Sequence, residues 1–416
     1  MLEAASPVPP AAPVDAPARI APLDMLRGFA LLGILVMNIQ SFAMIDAAYD
    51  NPTAYGDLTG ANWWVWFLGH LFTDQKMYGI FSMLFGAGIL LMTSRAEARG
   101  SSLGLHYRRM MWLILFGLLH AHLLWPGDIL YTYGVCGLLV YLFRRRSVRT
   151  LLVLSFVFLV LGSIVFGSIG WHMRFWSPES VTAFKHDMWL PTQEMIRDEL
   201  ADNRSGWLAQ MPRRMAEARD VETIAFAVFL GWKTIGNMLL GMALFKSGAL
   251  TGKWPRPVYA RVAAAGFLVG LPIIAIGVWR NFAAGWDVQY WFFLGSQYNY
   301  WGAIAVDFGW IGLLMLAATS GRFEGLKGAL GAVGRMAFTN YILQTLLCTT
   351  LFYGHGFGLF GRVSRVGQIS ICAAIWLIEI VLSRLWLRRF AFGPLEWLWR
   401  SLTYWRRMPM VLRAST

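Results

Sequence analysis

The stretch from Gly28 to Met44, GFALLGILVMNIQSFAM, carries no charged residue and is almost wholly apolar. Hydrocarbon asks for such a run: a helix satisfies its own backbone polar groups, and an ionised side chain inside it needs a partner. The polar residues around this run are patterned. Asp24 and Arg27 are three apart and share a helix face, so they can pair. Asn38 and Gln40 lie near the far end, where an amide without a partner is costly. Polar groups so placed in a first membrane helix mark either an inter-helix contact or a site.

Similar stretches recur along the chain. Apolar runs near bilayer length occupy 26–45, 76–95, 107–124, 128–143, 148–171, 223–246, 258–279, 300–320, 328–352 and 366–387. They predict an all-α, polytopic membrane helical bundle of about ten transmembrane helices, with one transmembrane domain over residues 19–404. Hydrophobic residues make up 57% of the 416 positions and charged residues 14%, too apolar for a soluble chain of this length. The 21 Trp and 14 Tyr suit many membrane–water interfaces, where amphipathic rings settle. The piece from Trp63 to Phe72 is too short to cross and reads as interfacial or re-entrant. Residues 1–18 are rich in Pro and Ala, with neither a basic start nor an apolar core, and read as a disordered arm. Cys136, Cys348 and Cys372 sit singly in apolar runs without CxxC spacing, so neither a disulfide framework nor a metal site is read.

A net charge of +13 would point to nucleic acid in a soluble protein. Here the basic residues fall in short loops, which is a topology signal and implies no nucleic-acid partner. The loop after the first run holds Asp46, Asp50, Asp57 and Asp74 ahead of Lys76, whereas the next holds Arg95, Arg99, Arg108 and Arg109. RRRSVR joins the fourth and fifth runs, and five arginines follow the last run, from Arg388 to Arg407. The positive-inside rule then makes both termini cytoplasmic, including a tail over 405–416. The long loop over about 172–222 faces outward, either as a small cap over a cleft or as a solvated face.

Several polar groups fall at the ends of the runs or inside them. In LLHAHLLWPGDIL, the Trp125–Pro126–Gly127 turn brings Asp128 back toward His120 and His122. A histidine beside a carboxylate can act as general base, because the carboxylate fixes the tautomer and stabilises the imidazolium. Spacing alone favours the plainer reading, in which His120 bonds a neighbouring helix. Lys76 could hold an anionic group, orient Asp128 or snorkel to the interface. Asn340 and Gln344 are four apart on one face and would line a cavity or bond a partner helix. Asp307 and Glu379 divide evenly between structure and function.

Five segments together resemble a known family. LDMLRGFALLGILVMNI, LFGAGILL, FGLLHAHLLWPGDILYTYGVCGLL, GRMAFTNYILQTLLCTTLFYGHG and GPLEWLWRSLTY occur in the order found in the YeiB or DUF418 family of bacterial inner-membrane proteins, from about Arg19 to Tyr404. That family is grouped with transmembrane acyltransferases such as the lysosomal heparan-α-glucosaminide N-acetyltransferase. The resemblance implies a multi-pass enzyme of the bacterial inner membrane that takes an acyl group from cytoplasmic acyl-CoA to an acceptor on the far side, and it allows a homodimer. The acetyltransferase's D-x-x-R-G signature, with Asn ten residues after its Gly, is matched by Asp24, Arg27, Gly28 and Asn38. The resemblance gives Asn38 an active-site role. The chain departs from that pattern after the first run, where the acetyltransferase has its catalytic histidine and residues 47–59 here have none. His120, oriented by Asp128, is then the best candidate base, with His70 second.

The expected mechanism places acyl-CoA phosphates near Arg27 and Arg108 or Arg109, since guanidinium groups suit phosphate. His120 deprotonates an acceptor hydroxyl or amine, and Asn38 donates to the oxyanion. Membrane lipids and an acceptor not specified by the sequence are the remaining partners. A proton-coupled transporter of a small solute is the competing class, because intramembrane carboxylates serve that purpose equally well.

Overall fold

The computed structural model describes residues 20–97 and 103–412. The expected arm over 1–18, Arg99 and the last four residues of the tail lie outside the described residues. The protein is helical, and among the described residues the sole β pairing is an isolated bridge between Phe390 and Val411.

Helix α1 (Ala21–Ala43) leads through a loop to α2 (Gly60–Phe72), and the turn at Thr73–Gln75 opens α3 (Lys76–Glu97). Next come α4 (Leu103–Leu123), α5 (Leu130–Val140) and α6 (Val148–His172). Three shorter helices follow, α7 (Pro178–Met188), α8 (Gln193–Asn203) and α9 (Met211–Asp220). A π-helical stretch over Val221–Leu230 then continues into α10 (Gly231–Lys246). The remaining helices are α11 (Arg256–Ala283), α12 (Ser296–Ala318), α13 (Glu324–Arg335), α14 (Ala337–Phe352), α15 (Arg365–Trp386) and α16 (Pro394–Tyr404).

Among the described residues seven helical stretches are long and apolar enough to cross a membrane: 21–43, 60–95, 148–175, 211–246, 256–283, 288–318 and 365–386. The molecule is a helical membrane bundle. Three of the expected runs fall outside that set for physical reasons. Helix α4 carries Arg108, Arg109 and three histidines, and α5 is 11 residues long. The run expected over 328–352 is not one helix. It breaks at Met336, where φ −112° and ψ 30° leave the helical region.

The break is built rather than tolerated. Glu396 of α16 accepts from the Phe338 N–H at 2.6 Å and the Thr339 N–H at 3.1 Å, so a carboxylate closes the first turn of α14. The Asn340 amide reaches back to Val333 O at 3.2 Å, a carbonyl that also accepts the Met336 N–H at 3.1 Å, so the break is bonded from both sides. Freed from α14, α13 packs against α1 at backbone contact. A Cβ on Gly28 would lie 2.0 Å from Leu330 O, and one on Gly334 would lie 1.9 Å from Asp24 O. Only glycine fits at such a crossing.

The bundle has two chemically different ends. At the basic end α16 lies against the start of α4, with Arg108 donating to Thr403 O at 3.0 Å and Trp399 Nε1 donating to Arg109 O at 3.0 Å. The opposite end carries α7, α8 and α9, which form a cap. The Asn51 amide donates to Trp189 O at 3.1 Å, and the Gly354 N–H to Asn203 O at 3.0 Å. The cap is thereby tied to loops from both halves of the chain.

Candidate active site

The turn between α4 and α5 positions the first group. His120 O accepts the N–H groups of Leu124 and Trp125 at 2.9 and 3.0 Å, which ends α4 and folds the chain into the Pro126–Gly127 turn. Asp128 divides its carboxylate. Oδ2 accepts the Tyr131 N–H at 2.7 Å and caps the first turn of α5, while Oδ1 lies 2.8 Å from His120 Nδ1. A side chain at Gly117 would collide with both, since a Cβ there would lie 2.2 Å from Tyr131 N and 2.8 Å from Asp128 Oδ2. The hairpin thus closes only with glycine at that point.

A residue distant in sequence completes the arrangement. His120 Nε2 lies 2.9 Å from Thr345 Oγ1 on α14. With Nδ1 donating to the carboxylate, Nε2 carries the lone pair and accepts the threonine hydroxyl. His120, Asp128 and Thr345 are 2%, 4% and 1% exposed. Tyr341, one turn earlier on α14, sets its ring 5.2 Å from the imidazole and accepts the Ile129 N–H at 3.3 Å. His122 points elsewhere, with Nε2 3.2 Å from Glu222 Oε2.

The cap closes over this point. Trp207 Nε1 and Arg214 Nη1 both donate to Leu123 O, at 2.8 and 3.2 Å. Arg213 beside them is set among carboxylates, 2.5 Å from Glu217, 3.2 Å from Glu199 and 3.4 Å from Asp46 at the end of α1. Burial, reinforced by the Asp46 charge, pushes Glu199 up to about 7.

Asn38 is half-buried, and among the described residues no hydrogen bond joins its side chain to His120. One helical turn on, the Phe42 ring stacks on Trp125 of the hairpin with centroids 4.1 Å apart. Lys76 belongs to a second buried cluster. Its ammonium donates to His70 O at 2.6 Å and Asn299 Oδ1 at 2.5 Å. The Asn299 amide donates in turn to Asp74 at 2.7 Å, and Asp74 lies 3.0 Å from His70 Nδ1. Lys233 bonds Gln75 nearby, and Asp307 is so close to Gly79 that a Cβ there would lie 2.3 Å from its Oδ2.

A polar seam connects the region of Thr345 with the basic end. Asn340 donates to Ser383 Oγ at 2.9 Å, and one turn on Gln344 donates to Glu379 at 3.0 Å. Both amides therefore bond α15, as their spacing allowed. Where the seam reaches the basic end, a cleft of about 750 Å³ opens between α1, α13 and α15, lined by Asp24, Glu324, Lys327, Arg335, Arg384 and Arg388 among others. Of the expected phosphate ligands, Arg27 pairs with Asp24 at 2.7 Å and Arg108 is held by Thr403 O and the Trp405 ring.

A family model described as a protein of unknown function, DUF418, matches residues 244–406, the part of the chain that contains Thr345 and the seam. A relative from Escherichia coli strain K12, the uncharacterized protein YeiB, is 34% identical over 410 residues, spanning 94% of this chain and 98% of its own. The chain belongs to the YeiB/DUF418 family. Two further relatives are 29% identical: the uncharacterized protein YxaH of Bacillus subtilis strain 168, over 95% of this chain and 97% of its own, and an uncharacterized 39.9 kDa protein from the amylase 3' region of Bacillus acidopullulyticus, over 96% and 98%.

Two of the segments that carry the family resemblance meet in this DUF418 protein at one imidazole, His120 and Asp128 from one segment and Thr345 from the other. Sequence reasoning missed Thr345, because a threonine in an apolar helix reads as packing. Lys327, Arg384 and Arg388, which line the cleft, carry no ligand signal of their own in the sequence.

Proposed function

We propose that this protein is a membrane-embedded acyltransferase that moves an acyl group, acetyl in the simplest case, from acyl-CoA at the basic end to an acceptor hydroxyl or amine at the cap end. The observation that carries this reading is His120, enclosed between the Asp128 carboxylate and the Thr345 hydroxyl at 2.8 and 2.9 Å. An imidazole so oriented takes a proton from a hydroxyl or amine and returns it to a leaving thiolate. By the positive-inside rule the basic end is cytoplasmic, where acyl-CoA is found, and in a bacterium the membrane is the inner one. The cleft between α1, α13 and α15 has cations for the CoA phosphates. The seam from Asn340 to Gln344 offers amides that can exchange their bonds for those of the pantetheine arm. From Ala337 to Thr345, α14 climbs on the order of 12 Å at helical rise. Asn38 is the proposed oxyanion donor, by its place one turn from the Phe42–Trp125 stack.

The test uses the protein purified in detergent, with acetyl-CoA and longer acyl-CoAs as donors and free thiol as the readout. His120→Ala is expected to lower thiol release by about 100-fold or more. Unchanged release removes His120 as the base, and no release by the native protein from any donor overturns the reading. Transport is the second reading, favoured by one observation: Asp307 Oδ1 is buried without a hydrogen-bond partner in the cluster with Lys76 and Lys233. Proton flux into liposomes that is lost in Asp307→Asn, with no thiol release, would establish it instead.

A further inference from the structure

Many threonines in this protein satisfy their hydroxyls locally. Thr93, Thr234, Thr319, Thr349, Thr350 and Thr403 each donate to the carbonyl four residues back, at 2.6 to 2.8 Å, while Thr339 bonds the Glu396 carboxylate at 2.6 Å. The bond to the carbonyl satisfies a hydroxyl within its own helix. Thr345 differs from both. Its contact with Tyr341 O is 3.4 Å, and its hydroxyl lies instead 2.9 Å from His120 Nε2, on a helix 225 residues away in sequence. The far nitrogen of that imidazole is held by a carboxylate that is itself fixed by the Tyr131 N–H. A hydroxyl on the lone-pair nitrogen, with a carboxylate on the other, is the order of groups that activates an alcohol as a nucleophile.

We propose that Thr345 is the nucleophile, and that the acyl group passes through an ester on its Oγ1. This rests on the acyltransferase reading and replaces direct attack by the acceptor. In the first half-reaction Thr345 Oγ1 forms a bond to the thioester carbonyl carbon. The carbon–sulfur bond breaks, its electron pair leaves with sulfur, and the threonine proton passes through His120 Nε2 to the CoA thiolate. In the second, the acceptor hydroxyl or amine gives its proton to His120 and attacks the ester carbonyl. The carbon–Oγ1 bond breaks, and Thr345 recovers the proton. Asp128 is a positioning residue that holds Nδ1–H throughout. The arrangement also accounts for an otherwise awkward feature: Nε2 is already occupied, so an acceptor would have to displace Thr345 to reach the base directly.

The experiment incubates the full-length protein in detergent with radiolabelled acetyl-CoA and no added acceptor. The expected result is a burst of thiol approaching one per chain and an acetyl ester mapped by peptide mass spectrometry to Thr345. Thr345→Ser is expected to retain burst and ester. Thr345→Val, close in shape, loses both, and His120→Gln reduces the burst at least tenfold. A β-lactone, which acylates activated hydroxyls without any CoA, separates this proposal from the donor reading. Labelling of Thr345 that is lost in His120→Gln supports the nucleophile even if acetyl-CoA is not turned over. Thiol release in Thr345→Val at the native rate, still lost in His120→Gln, overturns the nucleophile and leaves His120 acting directly on the acceptor. A native protein that forms no ester with either reagent while turning over acetyl-CoA overturns it too.

Discussion

Lys76 is fully buried, and an ammonium in such a place depends on its acceptors. It has two, His70 O and Asn299 Oδ1, and Asn299 passes the contact on to Asp74. Removing the ammonium leaves both acceptors without a donor. Lys76→Ala is therefore expected to destabilise the protein by about 2 kcal/mol. Thermal unfolding in detergent measures this, with Lys76→Met separating lost hydrogen bonds from lost volume. At this scale the sequence was legible where partners were near in the chain. His120 and Asp128 are separated only by a Pro-Gly turn, and Asn340 and Gln344 share a helix face, so local geometry sufficed. Thr345 has no local mark, because what sets it apart is a contact with an imidazole 225 residues away in sequence. Arg27 and Arg108 carry the right charge for phosphate, and what the sequence did not show is that Thr403 O would hold the Arg108 guanidinium, beside the Asp24 pairing that the spacing of Arg27 allowed.

Among the elements, the cap is expected to dock in a pH-dependent way. Glu199 on α8 and Glu217 on α9 share Arg213 with Asp46 at the end of α1. Burial raises the Glu199 carboxyl from 4.5 to about 7. The folded cap thus binds more protons than the unfolded one between those values. This contribution to stability is fullest below the ordinary carboxyl range and is lost as pH rises through about 7. Amide exchange of α8, corrected for intrinsic rate, is expected to be faster at about pH 9 than at about pH 6, and Glu199→Gln to blunt the difference. The helices themselves were readable as runs without charge. The break at Met336 was not, because GRMAFTN contains no proline to mark it. What produces it is a carboxylate on α16 and a glycine crossing with α1, both remote in sequence.

For the whole molecule, the basic and capped ends give the bundle a direction. The proposal requires the basic end to face the cytoplasm. A fluorescent protein fused after Thr416 is expected to mature and fluoresce, and alkaline phosphatase inserted near Leu190 in the cap is expected to be active. The reverse pattern would put the cleft on the wrong side for acyl-CoA. Fold class was the most legible property of all, since apolar runs report the solvent directly. The Glu396 contact carries one more consequence. The residue that closes the first turn of α14 is synthesised after α14 itself, because Glu396 lies 57 and 58 residues beyond the N–H groups it accepts. Until then Phe338 and Thr339 lack their acceptor, and the helix that carries Thr345 has no firm seat. Seating of α14 is thereby made to wait for α16.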